Sequence, residues 1–62
     1  MEKPKCKLIG EDGNVFSLIS LASRALKKAG QKDQATEMED KCFAAGSYHE
    51  AIGIISDYVE IQ

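Results

Sequence analysis

Apolar positions recur at helical spacing through the middle of the chain. From Val15 to Ala29 they repeat at steps of three and four, while most polar side chains fall on the opposite side. Lys27 and Lys28 complement the negative end of a helix dipole, and Gly30 suits the left-handed residue that follows a helix. This pattern predicts a first helix that begins near Val15 and ends before Gly30.

Two shorter helices are predicted after a brief link at residues 31–32. Asp33 is placed to cap the second helix, which Gly46 ends. Ser47 and Glu50 match a capping box, in which the Ser47 hydroxyl accepts from the Glu50 N–H and the Glu50 carboxylate accepts from the Ser47 N–H. The second helix carries its apolar face at Ala35, Met38, Cys42 and Ala45. The third helix is expected to bury Tyr48, Ala51, Ile52 and Ile55.

Alternating side chains near each end of the chain predict two short strands, at residues 5–9 and 58–62. Residues 58–62 are also compatible with a longer third helix, but their β-branched residues favour the strand. If the strands pair, Lys5 or Lys7 lies across from Glu60 as a modest charge match. The predicted fold is therefore α+β and mainly helical, in a single small domain. It consists of a short N-terminal strand, three helices and a short C-terminal strand that pairs with the first.

The size of the chain favours association with a second copy. A domain of 62 residues buries only about 60% of the surface that its unfolded form exposes. Cys6 and Cys42, in a chain without a signal-peptide pattern, are interpreted as cytosolic thiols rather than a disulfide. No apolar run reaches the roughly 20 residues that cross a bilayer. A two-stranded sheet is weak and leaves edges open, so we expect a cytoplasmic homodimer that covers them.

The stretch "IGEDGN", residues 9–14, is the one loop that resembles a ligand site. Its two glycines precede a helix as in a phosphate cradle, but Glu11 and Asp12 stand between them and would repel phosphate. As a calcium loop it lacks a ligand at Phe16 and the closing bidentate glutamate. The interpretation that needs fewest assumptions is a turn at Asp12 and Gly13, followed by a helix cap at Asn14.

The charge of the chain is unevenly distributed. Residues 1–32 hold seven basic and three acidic side chains, whereas residues 33–62 hold one basic and seven acidic, so a net charge of −2 hides halves of +4 and −6. Asp33, Glu37 and Asp40 fall at i, i+4 and i+7 on the second helix and form one line of carboxylates, the acidic stripe. We expect this stripe to face basic residues of its own first helix, of a second subunit or of another protein.

Other chemistry has weaker support in the sequence. His49 with Cys6 and Cys42 lacks the spacings typical of a metal site, so we expect no metal and no cofactor. A Cys–His enzyme needs those groups within hydrogen-bond reach of each other. Nucleic-acid binding is disfavoured because the chain is acidic overall, has no Trp and does not interleave basic with aromatic residues.

The sequence resembles two groups of proteins. The segment "FAAGSYHEAIGIISDYVEI", about a third of the chain, resembles the junction of a tetratricopeptide repeat, a resemblance that implies a helical hairpin. The residues that carry it are Ala45, Gly46, Tyr48, Ala51 and Ile52.

The second resemblance covers nearly the whole chain, which is similar to small uncharacterised proteins of bacteriophages, prophages and other mobile elements of bacteria. The opening "KLIGEDGNVFSLISLASRALKKAG" and the close "GSYHEAIGIISDYVEI" carry this resemblance. It implies an accessory protein that binds and disables a host factor, such as an immune effector.

We therefore expect a non-catalytic protein-binding module, an inhibitor or modulator of a bacterial host protein of the anti-defence type. A small DNA-binding regulator and a cysteine- and histidine-dependent enzyme are the alternatives. The predicted partner-binding residues are Asp33, Glu37, Asp40, Tyr48 and His49.

Overall fold

The structure of the chain, a computed structural model, describes residues 2–10 and 13–62. Its elements are strand β1 (Lys5–Cys6), helices α1 (Val15–Lys28), α2 (Lys32–Phe43) and α3 (Tyr48–Tyr58), and strand β2 (Glu60–Ile61). The two strands form one sheet. The predicted α+β, mainly helical architecture is confirmed, including the pairing of the two terminal strands.

Local signals fix both ends of α1 as the sequence predicts. The Asn14 side-chain oxygen accepts from the backbone N–H of Phe16 at 2.9 Å and of Ser17 at 3.4 Å. At the other end Gly30 takes a φ of 78°, and the Gln31 N–H donates to the Leu26 carbonyl at 2.8 Å. These bonds satisfy backbone groups that the end of a helix otherwise leaves unpaired. The turn predicted at Asp12 lies outside the described residues.

The start of α2 differs from the prediction, because Asp33 lies in its first turn and does not cap it. The Gln31 carbonyl already accepts from the Ala35 N–H at 3.0 Å, and the Gln31 side chain donates to the Glu2 carbonyl at 3.0 Å. The turn that closes α1 at Gly30 thus leads the chain almost directly into the next helix. The Asp33 carboxylate still favours this end of α2 through the helix dipole.

Ser47 caps α3 as predicted, since its hydroxyl accepts from the Glu50 N–H at 3.1 Å. The second bond of the predicted capping box is shifted by one residue: the Glu50 carboxylate accepts from the Gly46 N–H at 3.0 Å rather than from the Ser47 N–H. Ala51 and Ile55 are buried, as expected, and Ile52 is half-buried. The prediction that Tyr48 is buried is wrong: it is the first residue of α3, and its side chain is 48% exposed.

The sheet is parallel, with Lys5 opposite Glu60 and Cys6 opposite Ile61. Parallel strands need a long crossover, which the three helices supply. Both strands are shorter than predicted. The N–H groups of Leu8 and Ile9 donate to the same Gln62 carbonyl, at 2.8 and 2.9 Å, so a regular ladder does not continue past that point.

Side chains from the helices and from both ends of the chain enclose one core. Its largest fully buried members are Leu26, Met38, Ile55 and Val59. Ser23 on α1 is the buried polar residue among those described, and its hydroxyl donates to the Glu39 carboxylate on α2. This packing brings the start of α1, the end of α2 and the start of α3 together at one end of the helical layer.

Candidate protein-interaction site

Three aromatic side chains lie exposed where those three helix ends meet. Phe16 is 63% exposed, Phe43 is 62% exposed and Tyr48 is 48% exposed. The two phenylalanine rings pack against each other, with centroids 6.1 Å apart and planes tilted by 31°. Exposed apolar side chains that cluster mark interaction surfaces more often than scattered ones do.

A groove of about 320 Å³ opens between these rings. We call it the aromatic groove. Its lining consists of Val15, Phe16, Ile19, Cys42, Phe43, Ala45, Gly46, Ser47, Tyr48 and Ala51. Apart from the Ser47 and Tyr48 hydroxyls its side chains are apolar, so the groove suits an apolar side chain rather than a charged ligand.

Helix caps position the aromatic side chains of this groove. The Asn14 cap starts α1 two residues before Phe16, and the Ser47 cap starts α3 one residue before Tyr48. Phe43 is the last residue of α2. Each ring therefore sits at a helix end whose backbone is held by local hydrogen bonds or by the adjoining turn.

The acidic stripe lies on the exposed side of α2. Asp33, Glu37 and Asp40 are all exposed, while the buried face of the helix is formed by Ala35, Met38 and Cys42. In the part of the chain that the structure describes, the stripe makes no ion pair with the basic residues of α1; its one ion pair is Glu37 to Lys41, 3.8 Å apart within α2.

Glu37 is further engaged by α3. The Tyr58 hydroxyl donates to the Glu37 carboxylate, and the Lys41 ammonium lies 5.4 Å from the centroid of the Tyr58 ring. The hydrogen bond to Glu37 raises the pKa of Tyr58, and the Tyr58 hydroxyl raises the pKa of Lys41. Glu37 therefore has a structural role between α2 and α3, whereas Asp33 and Asp40 make no ion pair within the described ranges.

His49 is exposed and follows Tyr48 in the first turn of α3, but it does not line the aromatic groove. Cys6 and Cys42 are buried free thiols on different elements, and burial raises the pKa of each. A nucleophilic cysteine needs the opposite change. The Cys42 thiol donates to the Ala51 carbonyl at 3.8 Å, as a core residue does. Among residues 2–10 and 13–62 no three His, Cys, Asp or Glu side chains are close enough to hold a metal ion.

Of the predicted partner-binding residues, the aromatic groove includes Tyr48 and not His49, and the structure adds Phe16 and Phe43, which the sequence does not mark as partner-binding. The apolar spacing of the first helix places Phe16 in its apolar stripe. The sequence does mark Phe43 as a large apolar residue outside the buried face of the second helix, because it does not share the helical spacing of Ala35, Met38 and Cys42. That it meets Phe16 depends on how α1 and α2 pack, which no local pattern reports.

Compared with known protein families, curated proteins and solved structures, the chain matches none of them. No helix in the described residues combines the length and apolar character needed to cross a membrane.

Proposed function

We propose that the chain is a non-catalytic protein-binding module and that the aromatic groove receives an apolar side chain of its partner. The observation that carries this proposal is the cluster of Phe16, Phe43 and Tyr48, each about half exposed or more around one groove. Aromatic side chains in pockets supply much of the energy of protein interfaces. Their exposure in a domain this small is explained if a partner covers them.

The acidic stripe gives this surface a preferred kind of partner. Asp40 precedes Phe43 by three residues, so the two are neighbours on the surface of α2. A partner with an apolar anchor and basic residues around it fits both features. Charges at the rim mainly raise the rate of association and reject wrong partners, while the buried anchor determines how slowly the complex dissociates.

The resemblance of the chain to small phage and prophage proteins supports a bacterial host protein as this partner. A protein that occupies the surface of a host factor inhibits or modulates it without chemistry of its own. This agrees with the two buried thiols, whose raised pKa values suit core residues.

The test has two stages. Proteins captured from bacterial lysate by the wild-type chain are identified, and the strongest candidate is purified and titrated by calorimetry. The Phe16→Ser, Phe43→Ser double variant is expected to weaken binding by about 30-fold or more, the size of one interface hot spot. Ile9→Ser is the matched control, because Ile9 is 69% exposed and lies outside the groove. Equal binding by the double variant and the wild type contradicts the proposal.

The same variants separate the alternatives. Light scattering shows whether a second copy of the chain is the occupant: a dimer that the double variant dissociates identifies one. An activity that survives the double variant but is lost when Cys6, Cys42 and His49 are replaced together, in a triple variant whose circular dichroism shows that it still folds, indicates an enzyme. Salt-dependent binding to duplex DNA that is unaffected by the double variant indicates a DNA-binding regulator.

A further inference from the structure

One edge of β1 is open. The Pro4 carbonyl accepts from the Glu60 N–H and the Cys6 carbonyl from the Gln62 N–H, both at 2.9 Å, and the Leu8 N–H donates to the Gln62 carbonyl at 2.8 Å. Alternate residues of an extended chain turn their backbone groups to opposite sides. The N–H and C=O groups of Lys5 and Lys7 therefore point away from β2, and no other strand in the described residues pairs with them.

A groove of about 580 Å³ runs between this edge and α1. We call it the basic groove. Its lining consists of Pro4, Lys5, Cys6, Lys7, Leu21, Arg24, Ala25, Lys28 and Ala29. Leu21 and Ala25 lie one turn apart on α1 and give the groove an apolar floor.

Four exposed cations surround that floor: Lys5, Lys7, Arg24 and Lys28. No acidic residue of the described ranges lines the groove. The one ion pair in the described part of the chain, Lys41 with Glu37, lies elsewhere. The groove therefore concentrates positive charge beside a strand edge with unused backbone donors and acceptors.

We propose that the basic groove binds an extended acidic segment of another protein, which adds a strand to the open edge of β1. The backbone of the segment pairs with Lys5 and Lys7, and its carboxylates face the four cations. Charge complementarity decides between occupants. A second copy pairing β1 against β1 places lysines opposite lysines, which is unfavourable. A nucleic-acid strand gains from aromatic stacking, and none of the described aromatic residues lines this groove.

The experiment uses the full chain and a fluorescein-labelled peptide of alternating glutamate and valine. Anisotropy measures binding at low salt, and NMR measures hydrogen exchange of the Lys5 and Lys7 amides with and without the peptide. The peptide is expected to bind and to slow exchange at both amides. Arg24→Gln with Lys28→Gln is expected to weaken binding about tenfold, since two charge pairs are lost.

Lys27→Gln with Lys32→Gln is the matched control, because it removes the same charge outside the groove. A second control is a peptide in which lysine replaces glutamate, which is expected not to bind. The proposal is overturned by no binding of the acidic peptide up to about 1 mM, by equal weakening in the two double variants, or by binding without slower exchange at Lys5 and Lys7. Tighter binding of a short DNA duplex than of the peptide also overturns it, in favour of a nucleic-acid site.

Discussion

The interior of the helical layer and the aromatic groove are both built from large apolar side chains of the same helices. Leu26, Met38 and Ile55 are fully enclosed, whereas Phe16 and Phe43 remain more than 60% exposed. In a domain of this size every buried apolar group matters, because the total free energy of unfolding is only about 0.05–0.15 kcal/mol per residue. The difference indicates that the interior side chains hold the fold together, whereas the exposed rings are the ones to which we assign binding in the proposed function.

The largest effect is expected from Met38→Ala. Met38 has no exposed surface, so the substitution removes buried contacts and leaves a cavity. The free energy of unfolding is expected to fall by about 2–5 kcal/mol, a large part of the total. Urea denaturation followed by circular dichroism measures it. A loss below about 1 kcal/mol would show that the interior can repack, and it would weaken the distinction between the interior and the aromatic groove.

A smaller loss of unfolding free energy is expected from Asn14→Ala. Asn14 caps α1, the helix that contributes side chains both to the interior and to the aromatic groove. The Asn14 side chain caps α1 beneath Phe16, through bonds to the Phe16 and Ser17 N–H groups. Removing it is expected to cost about 0.5–2 kcal/mol of unfolding free energy. The unfolding free energy of Ser47→Ala is measured for comparison, because this substitution removes the equivalent cap bond, to the Glu50 N–H at the start of α3. Loss of partner binding with an unchanged melting temperature would instead assign Asn14 to the binding surface.

Phe43→Ala tests the exposed side of the comparison. Its ring touches Phe16 but is mostly in solvent, so we expect a cost of at most about 1 kcal/mol, the size of one aromatic pair. Binding of the captured partner is expected to fall far more than stability. If the unfolding free energy drops as much as in Met38→Ala, the aromatic groove is part of the core and the functional proposal loses its support.

Local signals explain which features the sequence predicts correctly. Asn14, Gly30 and Ser47 each act within one turn of helix, so the starts of α1 and α3 and the end of α1 are readable from neighbouring residues. The same kind of signal predicts a cap at Asp33, but the preceding turn decides where α2 begins. The aromatic groove and the open edge of β1 depend on contacts between distant segments, which a single sequence does not report.

The smallest effect is expected from Tyr58→Phe, at the boundary between interior and surface. The Tyr58 ring packs against the core while its hydroxyl donates to Glu37 at the surface, where solvent screening limits the bond to about 0.5 kcal/mol or less. That bond raises the pKa of Tyr58, so its contribution is fully present below about pH 10 and is lost as pH rises through the raised pKa. Unfolding measured at pH 7 and at a pH above the raised pKa of Tyr58 is expected to separate wild type from variant only at the lower pH. A gap that persists in alkali would show that the variant disturbs the packing of the ring, which would place Tyr58 with the interior.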